Sequence, residues 1–357
     1  MKKIQVLSLS DKQEWRELVR RFPDCDIYFH PNYIETCTRI MPGTPFCFVY
    51  HQAADKVIIK PFFKRRINDE PEFSTLKEDY YDTISPYGYN GCLTNCQECD
   101  IQDFFTQYDK YCLDNNIISE FVRLHPLIRN DLYKGLEKSR QLVLWNETVH
   151  IKLDKSLEEI RGCFGDTNTR NIKKAVKNGL KVVELPYNTE NVSRFHKMYT
   201  STMERLQTTA FYFFSLDYFD SLRELLGEYV KLFAVEYNQE YIALGLFFTF
   251  GQYCHYHLGA SQLETLHLRP NNILFSHIIE WAKNAGYKLL HLGGGRHRDD
   301  DLFRFKKSFS DTTAPFYIIK KIHHNDVYKQ LTEFKINYKI KNNLPEVDNN
   351  YFPAYRG

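Results

Sequence analysis

The residues that could carry chemistry are concentrated late in the chain. Three glycines, Gly293 to Gly295, follow a short apolar stretch, and a basic-aromatic FKKSF segment containing Lys306 comes soon afterwards. Glycine lets the backbone approach a ligand closely, and its N–H groups can bind an anionic or carbonyl oxygen. Lys306 could supply positive charge where a carbonyl oxygen gains negative charge. These types suit a site that binds an anionic or carbonyl oxygen; an ordinary surface lysine and a simple turn are the alternatives.

The elements around this segment predict how it is positioned. The stretch from Tyr241 to Ala260 predicts a hairpin that turns at Gly251-Gln252, and the apolar spacing from Ile273 to Ala285 predicts an amphipathic helix. Tyr287 to Leu292 is then a short strand. A strand, a crossover helix and a strand predict parallel neighbours in one sheet. Ligands gather at the carboxyl ends of such strands and at helix N-termini.

The start of that helix is a candidate phosphate site. Asn271 and Asn272 follow Arg269-Pro270, and exposed N–H groups in a first helical turn can bind the phosphates of an acyl donor. Asn272 could instead be the N-cap of the helix. The sequence therefore makes Asn271, Asn272 and the three glycines candidate donor-binding residues.

The order of these pieces resembles the second half of a Gcn5-related N-acyltransferase (GNAT) domain. More narrowly, it is similar to the Fem-type aminoacyltransferases and their acetyltransferase-like relatives, in which a strand ending LGGG precedes an F-K-x-x-F segment. The resemblance implies that Lys306 takes part in the transfer step. The segment Arg269 to Asn272 lacks the Q/R-x-x-G-x-G/A loop that GNAT enzymes use for coenzyme A. This departure weakens the case for acetyl-CoA as the donor.

A helix–helix–hairpin–loop–helix–strand order occurs twice along the chain. The hairpin sequences FCFVYHQAADKVIIKPFF and LFAVEYNQEYIALGLFF are also similar in pattern. We therefore predict an α/β (α+β) protein of two tandem GNAT-like domains, each a mixed sheet flanked by helices. The predicted ranges are 1–150, 151–322 with the active site, and a tail 323–357 that packs on the first domain. One large sheet is the alternative.

The segment DTNTRNIKKAVKNG predicts an amphipathic helix with a basic face. Its cations recur at helical spacing without an acid among them, and the run resembles a helix of Fem-type proteins. Phosphates of a tRNA acceptor stem or a nucleotide would suit this face, and a solvated surface is the alternative. The four cations are Arg170, Lys173, Lys174 and Lys177.

Further residues suggest an acceptor site. Tyr87 and Tyr89 lie in a PYGYNG loop that resembles a segment of the acetyltransferase-like relatives, and such tyrosines suit a cleft between domains. Arg123 ends the strand beyond this loop and could hold a carboxylate or phosphate. A structural role is the alternative for each of them.

Arg205 and Tyr212 stand between two helices, where the resemblance implies an arginine and a tyrosine that bind a peptidoglycan precursor. Tyr256 lies on a predicted strand between His255 and His257. Alternation places Tyr256 on the opposite face from both histidines, and we expect it to face the catalytic cleft. The two histidines are expected to be partly buried polar groups.

Composition excludes several other classes. The formal charge of +2 is too small to indicate a nucleic-acid-binding protein by itself, and no DNA partner is expected. No apolar run is long enough for a transmembrane segment, and no signal peptide is evident, which predicts a cytoplasmic protein. The irregular spacing of Cys92, Cys96 and Cys99 and the solvated acids Asp299 to Asp301 predict no metal site.

The sequence thus predicts an N-acyltransferase of the GNAT or Fem-like type, with Lys306 and Tyr256 as catalytic residues. The expected donor is acetyl-CoA, another acyl-CoA or an aminoacyl-tRNA, and no covalently bound cofactor is expected. The expected acceptor is a small molecule or a peptidoglycan precursor, with tRNA as a partner. One alternative is an aminoacyl-tRNA-dependent enzyme of peptidoglycan bridges. Another is a non-catalytic scaffold that binds carbohydrate or peptide.

Overall fold

The computed structural model describes residues 3–348 and 350–357 of the chain. Its strands, in chain order, are β1 (Lys3–Ser8), β2 (Thr44–His51), β3 (Val57–Arg66), β4 (Tyr81–Ile84), β5 (Leu93–Thr94), β6 (Ile117–Arg123), β7 (Leu142–Lys152), β8 (Lys181–Leu185), β9 (Val230–Tyr237), β10 (Glu240–Phe250), β11 (Tyr253–Ser261), β12 (Leu289–Gly293) and β13 (Thr313–Ile322).

The α-helices, in the same order, are α1 (Lys12–Val19), α2 (Pro31–Cys37), α3 (Ile101–Asp114), α4 (Glu137–Arg140), α5 (Leu157–Gly162), α6 (Asp166–Lys177), α7 (Thr189–Arg205), α8 (Leu216–Leu226), α9 (Pro270–Asn284), α10 (Asp301–Lys307) and α11 (Asn325–Lys341). Over the residues described, none of these helices combines the length and the apolar character that a membrane crossing requires.

The chain divides into two compact units, and each is discontinuous in sequence. The first comprises Met1–Pro23, Met41–Trp145 and Phe316–Gly357. The second comprises Asp24–Ile40 and Asn146–Pro315. The segment that contains α2 therefore clusters with the second unit, whereas the range 1–150 predicted from the sequence placed it in the first domain.

The sheet of the first unit runs β1-β2-β3-β4-β6 and ends with the part of β13 that belongs to this unit. Neighbours are antiparallel except β4 and β6, which are parallel. The short strand β5 pairs with β3. Helix α3 supplies the crossover between the parallel strands, and its buried Phe104, Phe105 and Tyr108 pack into an aromatic core.

The sheet of the second unit runs β8-β9-β10-β11-β12 and ends with the part of β7 that belongs to this unit. Again all neighbours are antiparallel except one parallel pair, β11 and β12. Helix α9 is the crossover, because parallel neighbours cannot be joined by a tight turn. Its face with Leu274, Phe275 and Ile278 is buried in the core of this unit.

The two units therefore share one strand pattern: three antiparallel pairings, one parallel pairing and a final antiparallel strand. In the first unit the final strand comes from a separate segment that begins at Phe316, whereas in the second unit it lies in the same segment as the other strands. The predicted fold of two tandem mixed-sheet units flanked by helices is confirmed. The predicted hairpin, crossover helix and parallel strand of the second unit are β10, β11, α9 and β12.

Two stretches near the predicted site residues are more regular than their sequences indicate. The loop that contains Tyr87 and Tyr89 is preceded by β4, whose buried Asp82 accepts hydrogen bonds from Arg65 and Arg356. Most of the FKKSF segment lies in α10, which Asp300 caps. The partners of Asp82 lie far away in sequence, so a short window does not reveal this strand.

The C-terminal segment is held within the first unit. Leu331 of α11 and Tyr355 are buried in a cluster with Ile118. The hydroxyl groups of Tyr355 and Ser119 are hydrogen-bonded at 2.7 Å, and the Arg356 guanidinium donates to Asp82 and Glu70. This segment therefore contributes to the core and the ion pairs of the first unit.

Candidate functional site

The parallel strands β11 and β12 bring the predicted catalytic residues to one edge of the second sheet. Their pairing runs from Tyr253 opposite Leu289 to His255 opposite His291. Tyr256 follows the paired stretch of β11, and Gly293 is the last residue of β12. Because parallel strands end at the same edge of a sheet, both residues lie where ligands bind in α/β sheets.

Lys306 is a buried cation at this edge. It is only 5% exposed, and its Nζ donates a hydrogen bond to the carbonyl oxygen of Gly294 at 2.7 Å. Nζ also lies 5.4 Å from the centre of the Tyr256 ring. Burial lowers the pKa of Lys306 to about 7, against the opposing charge of Asp300. The ammonium and free-amine forms of Lys306 are therefore both populated near neutral pH. A group that exchanges protons during a reaction at this pH needs both forms.

An aromatic cluster explains why Lys306 is so poorly hydrated. The ring of Phe275, on α9, lies 4.8 Å from the ring of Tyr256. It also lies 5.3 Å from each of the rings of Phe305 and Phe309, which flank Lys306 in sequence. An ammonium group among apolar rings loses hydration, and this loss favours the uncharged amine.

Tyr256 stands beside Lys306 with its hydroxyl over a glycine. A Cβ atom on Gly259 would lie 2.2 Å from the Tyr256 hydroxyl oxygen, so only glycine leaves room for this phenol. Burial raises the pKa of Tyr256, and the phenol is therefore a neutral hydrogen-bonding group at pH 7. The structure thus brings together Tyr256 and Lys306, the two predicted catalytic residues.

The three predicted glycines each occupy a crowded place. Gly293 has a positive φ of 76°. A Cβ atom on Gly294 would lie 2.8 Å from the Glu147 carbonyl oxygen, and one on Gly295 would lie 2.1 Å from Oδ1 of Asp300. The carbonyl of Gly294, rather than an N–H group, makes the contact to Lys306. Close packing is therefore one reason for the glycine run, and ligand binding by its N–H groups stays a prediction.

Asp300 is a residue of this site that the sequence interpretation missed. Its Oδ1 accepts a hydrogen bond from the Phe303 N–H at 2.7 Å, which makes it the N-cap of α10. Its Oδ2 accepts from the Arg296 and His297 N–H groups at 2.6 and 3.1 Å. Burial would raise the pKa of Asp300, but these backbone bonds lower it. An aspartate directly before a short basic-aromatic run is the capping signal that could have identified it.

A pair of buried asparagines connects the start of α9 with the end of α10. The Asn272 amide donates to Oδ1 of Asn168 at 2.8 Å, and the Asn168 amide donates to the Ser308 carbonyl at 3.0 Å. The alternative role of Asn272 as the N-cap of α9 is excluded, because Arg269 occupies that position in a left-handed conformation without a side-chain cap. Asn271 is half-buried in the first turn of the helix. The start of α9 is thus connected by hydrogen bonds to Ser308, two residues beyond Lys306.

The basic face of α6 extends from this connection. Asn168 lies in the first turns of α6, and the four predicted cations are exposed. For the described residues, the structure records no ion pair between these cations and an acidic side chain; Arg170 donates only to the Thr167 hydroxyl. An unneutralised row of cations attracts anions. The residues of this row are Arg170, Lys173, Lys174 and Lys177.

The predicted pair Arg205 and Tyr212 is not brought together as one binding group. The Arg205 guanidinium donates to the Ser261 carbonyl at 2.8 Å and lines an open groove of about 880 Å³ beside α7. Tyr212 accepts the Tyr199 hydroxyl through its backbone carbonyl at 2.8 Å, and its own side chain is exposed. An acceptor role for either residue stays a prediction.

The other acceptor candidates lie in the first unit. Tyr89 packs against His125 and Phe316 with ring centres 5.8 and 5.4 Å apart. The Arg123 guanidinium lies 4.9 Å from the Phe121 ring. Tyr87 is half-buried in the preceding loop. The structure therefore assigns these three residues and Lys306 to different units, and their role in binding stays a prediction.

The strand histidines are polar groups on the opposite face of β11 from Tyr256, and His255 is buried whereas His257 is half-buried. His255 is hydrogen-bonded to Asp26 at 2.6 Å and to His291 at 3.2 Å. His257 is hydrogen-bonded to the Tyr218 hydroxyl at 2.9 Å, and burial lowers its pKa to about 3. These bonds satisfy core polar groups, as the sequence suggested.

Comparison with known proteins agrees with this geometry. Residues 167–307 match the family model of an acetyltransferase (GNAT) domain. No curated protein sequence matches the chain significantly. The chain is similar to the crystal structure of FemX, with a TM-score of 0.68 and 14% identity over 92% of this chain and 99% of that one. The resemblance to GNAT proteins with Fem-type relatives is thereby confirmed.

Two further solved structures share the fold. The C-terminal domain of a candidate lysylphosphatidylglycerol synthetase from Agrobacterium fabrum has a TM-score of 0.55 and 12% identity, covering 88% of this chain and 93% of that one. A tandem GNAT protein from the clavulanic acid biosynthesis pathway has a TM-score of 0.50 and 8% identity, covering 90% and 98%. At these identities the likeness concerns the fold.

Proposed function

We propose that this chain, whose second unit carries an acetyltransferase (GNAT) domain, transfers an acyl or aminoacyl group from an activated donor to the amine of an acceptor. The observation that carries the proposal is Lys306. It is a buried lysine without a carboxylate partner among the described residues, and it is bonded to the loop that ends the parallel strand β12. Such a group can receive the negative charge of a reacting carbonyl oxygen.

The reaction needs little else from the protein. The neutral acceptor amine attacks the donor carbonyl carbon, a C–N bond forms, and the carbonyl oxygen becomes an oxyanion. The Lys306 ammonium uses one N–H for Gly294 and retains others for that oxygen. When the oxyanion collapses, the bond to the donor thiol or hydroxyl breaks. The proton lost by the amine passes to that leaving group or to water.

Tyr256 lines the same place and is proposed to position the donor carbonyl. Its neutral phenol lies beside Lys306, and the aromatic cluster excludes water from both. Exclusion of water strengthens each hydrogen bond to the developing charge and reduces hydrolysis of the donor. The donor phosphates would bind at the first turn of α9, where Asn271 lies and no side chain caps the helix.

A second candidate function is transfer from an aminoacyl-tRNA to a peptidoglycan precursor or a lipid acceptor. The exposed cations of α6 favour it, since a row of cations suits a polyanion better than a single pyrophosphate. The similarity to FemX and to the candidate lysylphosphatidylglycerol synthetase supports the same class of donors and acceptors. Acyl-coenzyme A remains the donor that GNAT domains suggest.

Charge reversal on α6 separates these donors. We expect Lys173→Glu with Lys174→Glu to weaken alanyl-tRNA binding at least about tenfold and to reduce the salt slope by about two, because two phosphate contacts are lost. If acetyl-CoA is the donor, it should raise the melting temperatures of this variant and of the wild type equally. Lys329→Glu with Lys341→Glu, on exposed positions of α11, is the matched control.

The outcomes are distinct. Unchanged tRNA affinity and an unchanged salt slope would remove the tRNA proposal. Binding of neither donor, together with no transfer to an amine or a UDP-linked muropeptide, would remove the acyltransferase proposal and favour a non-catalytic scaffold.

A further inference from the structure

A single carboxylate organises the loop between β12 and α10. Asp300 caps the first turn of α10 through Oδ1 and binds the Arg296 and His297 N–H groups through Oδ2. Three backbone donors on two sides of the loop thus converge on one side chain. Charge-assisted bonds of this kind are stronger than neutral ones, so the loop conformation depends on Asp300.

The same carboxylate occupies the space that a glycine leaves open. A Cβ atom on Gly295 would lie 2.1 Å from Oδ1 of Asp300 and 2.6 Å from its Cγ. The residue before it, Gly294, carries the carbonyl that accepts the Lys306 hydrogen bond. Asp300 therefore packs directly against the short segment that determines where this carbonyl points.

Asp300 also acts on Lys306 through charge. Within the described part of the chain, the titratable groups that face Lys306 are Asp300 in the loop and Tyr256 on β11. Tyr256 is neutral at pH 7, because burial raises its pKa. Asp300 is ionised, because its backbone bonds lower its pKa. The negative charge of Asp300 therefore favours the ammonium form of Lys306, which burial disfavours.

We propose that Asp300 is a positioning residue: it fixes the glycine loop so that Lys306 stays bonded to Gly294, and its charge keeps Lys306 protonated often enough to act. This inference rests on the proposed role of Lys306 in acyl transfer, and it extends that role to a residue with no direct contact to the reacting atoms. The neighbouring Asp301 differs, since its fully exposed carboxylate pairs with Arg304 at the surface.

The test is a direct titration of Lys306 in Asp300→Asn. With ¹³C at the lysine Cε, the Lys306 signal is assigned by its absence in Lys306→Met. We expect a midpoint near pH 7 in the wild type and a lower midpoint in Asp300→Asn, because an uncharged amide no longer stabilises the ammonium. Asn remains a good N-cap, so the fold should persist. Asp300→Ser, which caps the helix but cannot reach the loop, is the second variant.

Asp301→Asn is the matched control, since it makes the same chemical change one residue away. Its Lys306 midpoint should equal that of the wild type. An unchanged midpoint in Asp300→Asn and Asp300→Ser would overturn the inference, and so would an equal decrease in Asp301→Asn.

Kinetic measurements on the same variant distinguish the proposed action of Asp300 on Lys306 from the proposed role of Lys306 in transfer. Asp300→Asn should lower kcat/KM for the donor that binds by roughly tenfold to a hundredfold, as a small misplacement of a catalytic group does. A lowered midpoint with undiminished transfer would support the action of Asp300 on Lys306 and remove Lys306 from the reaction.

Discussion

Each of the two units contains a buried lysine, and the two lysines have different partners. One is paired with a carboxylate, and the other donates to a backbone carbonyl. In the first unit Lys60 of β3 is buried and forms an ion pair with buried Glu120 of β6. In the second unit buried Lys306 is hydrogen-bonded to the carbonyl of Gly294 and lies 5.4 Å from the centre of the Tyr256 ring. The units share one strand pattern, so a buried lysine alone does not indicate a functional site. The partner of the lysine distinguishes a structural cation from one that can exchange its proton.

The first unit compensates its buried charge fully. Burial would raise the pKa of Glu120, but Lys60 and then Arg140 lower it to about 2. Arg140 is itself buried and pairs with both Glu120 and Asp109. Glu120 therefore stays ionised over the physiological pH range, and its two cationic partners favour a single packed state. Lys306 lacks such compensation, which leaves its protonation sensitive to a ligand.

The largest effect is expected from Lys60→Met. Removal of this cation leaves Glu120 with one weaker partner, and breaking a buried pair costs about 3–5 kcal/mol. The free energy of unfolding, measured by denaturant titration, should fall by this amount. Lys306→Met makes the same change in the second unit and should lower the free energy of unfolding by no more than about 1 kcal/mol, because only one hydrogen bond to a carbonyl is lost and the desolvation cost of the ammonium disappears. Equal losses in both variants would contradict the comparison.

Lys306→Met should instead act on transfer. We expect kcat/KM to fall about 10²–10³-fold, as on removal of one donor to an oxyanion. The exposed neighbour Lys307 provides the control, and Lys307→Met should transfer at a rate close to that of the wild type. Circular dichroism would show that both variants are folded. Undiminished transfer by folded Lys306→Met would exclude Lys306 from the mechanism.

A smaller effect concerns pH. The pKa of Lys306 is about 7 in the folded protein and about 10.4 in an unfolded chain. Between these values the unfolded state binds more protons, so stability rises with pH. From pH 7 to about pH 9 the wild type should gain about 2 kcal/mol relative to Lys306→Met. Parallel stability curves for the two proteins would show that Lys306 is not desolvated as described.

Much of the second unit could be predicted because its signals are local. The hairpin turn at Gly251, the apolar face of α9 and the glycines after β12 are each visible within a short window of sequence. The burial of Lys306 could not be predicted in the same way. It depends on Phe275, which lies on α9, and on the folding of the FKKSF segment into α10.

The features that the sequence did not reveal depend on how the chain folds back on itself. Asp300 stands in a run of acids that is typical of a solvated loop, and its role appears only when the loop folds back on it. Strand β4 contains Asp82, whose partners Arg65 and Arg356 lie far away in sequence. The position of Asn272 near the helix start allowed either donor binding or a capping role, and its hydrogen bond to Asn168 of α6 could not be foreseen from either.

The separate segment that completes the first unit has a consequence for how the protein is made. The first unit takes the strand beside β6 from residues Phe316 onward, and Tyr355 enters its core. A ribosome therefore has to synthesise the second unit before the first unit can acquire this strand. Until then Glu120 lies on an uncovered strand edge, where nascent chains are prone to associate. Removal of residues 350–357 should accordingly impair the maturation of a region encoded more than two hundred codons earlier.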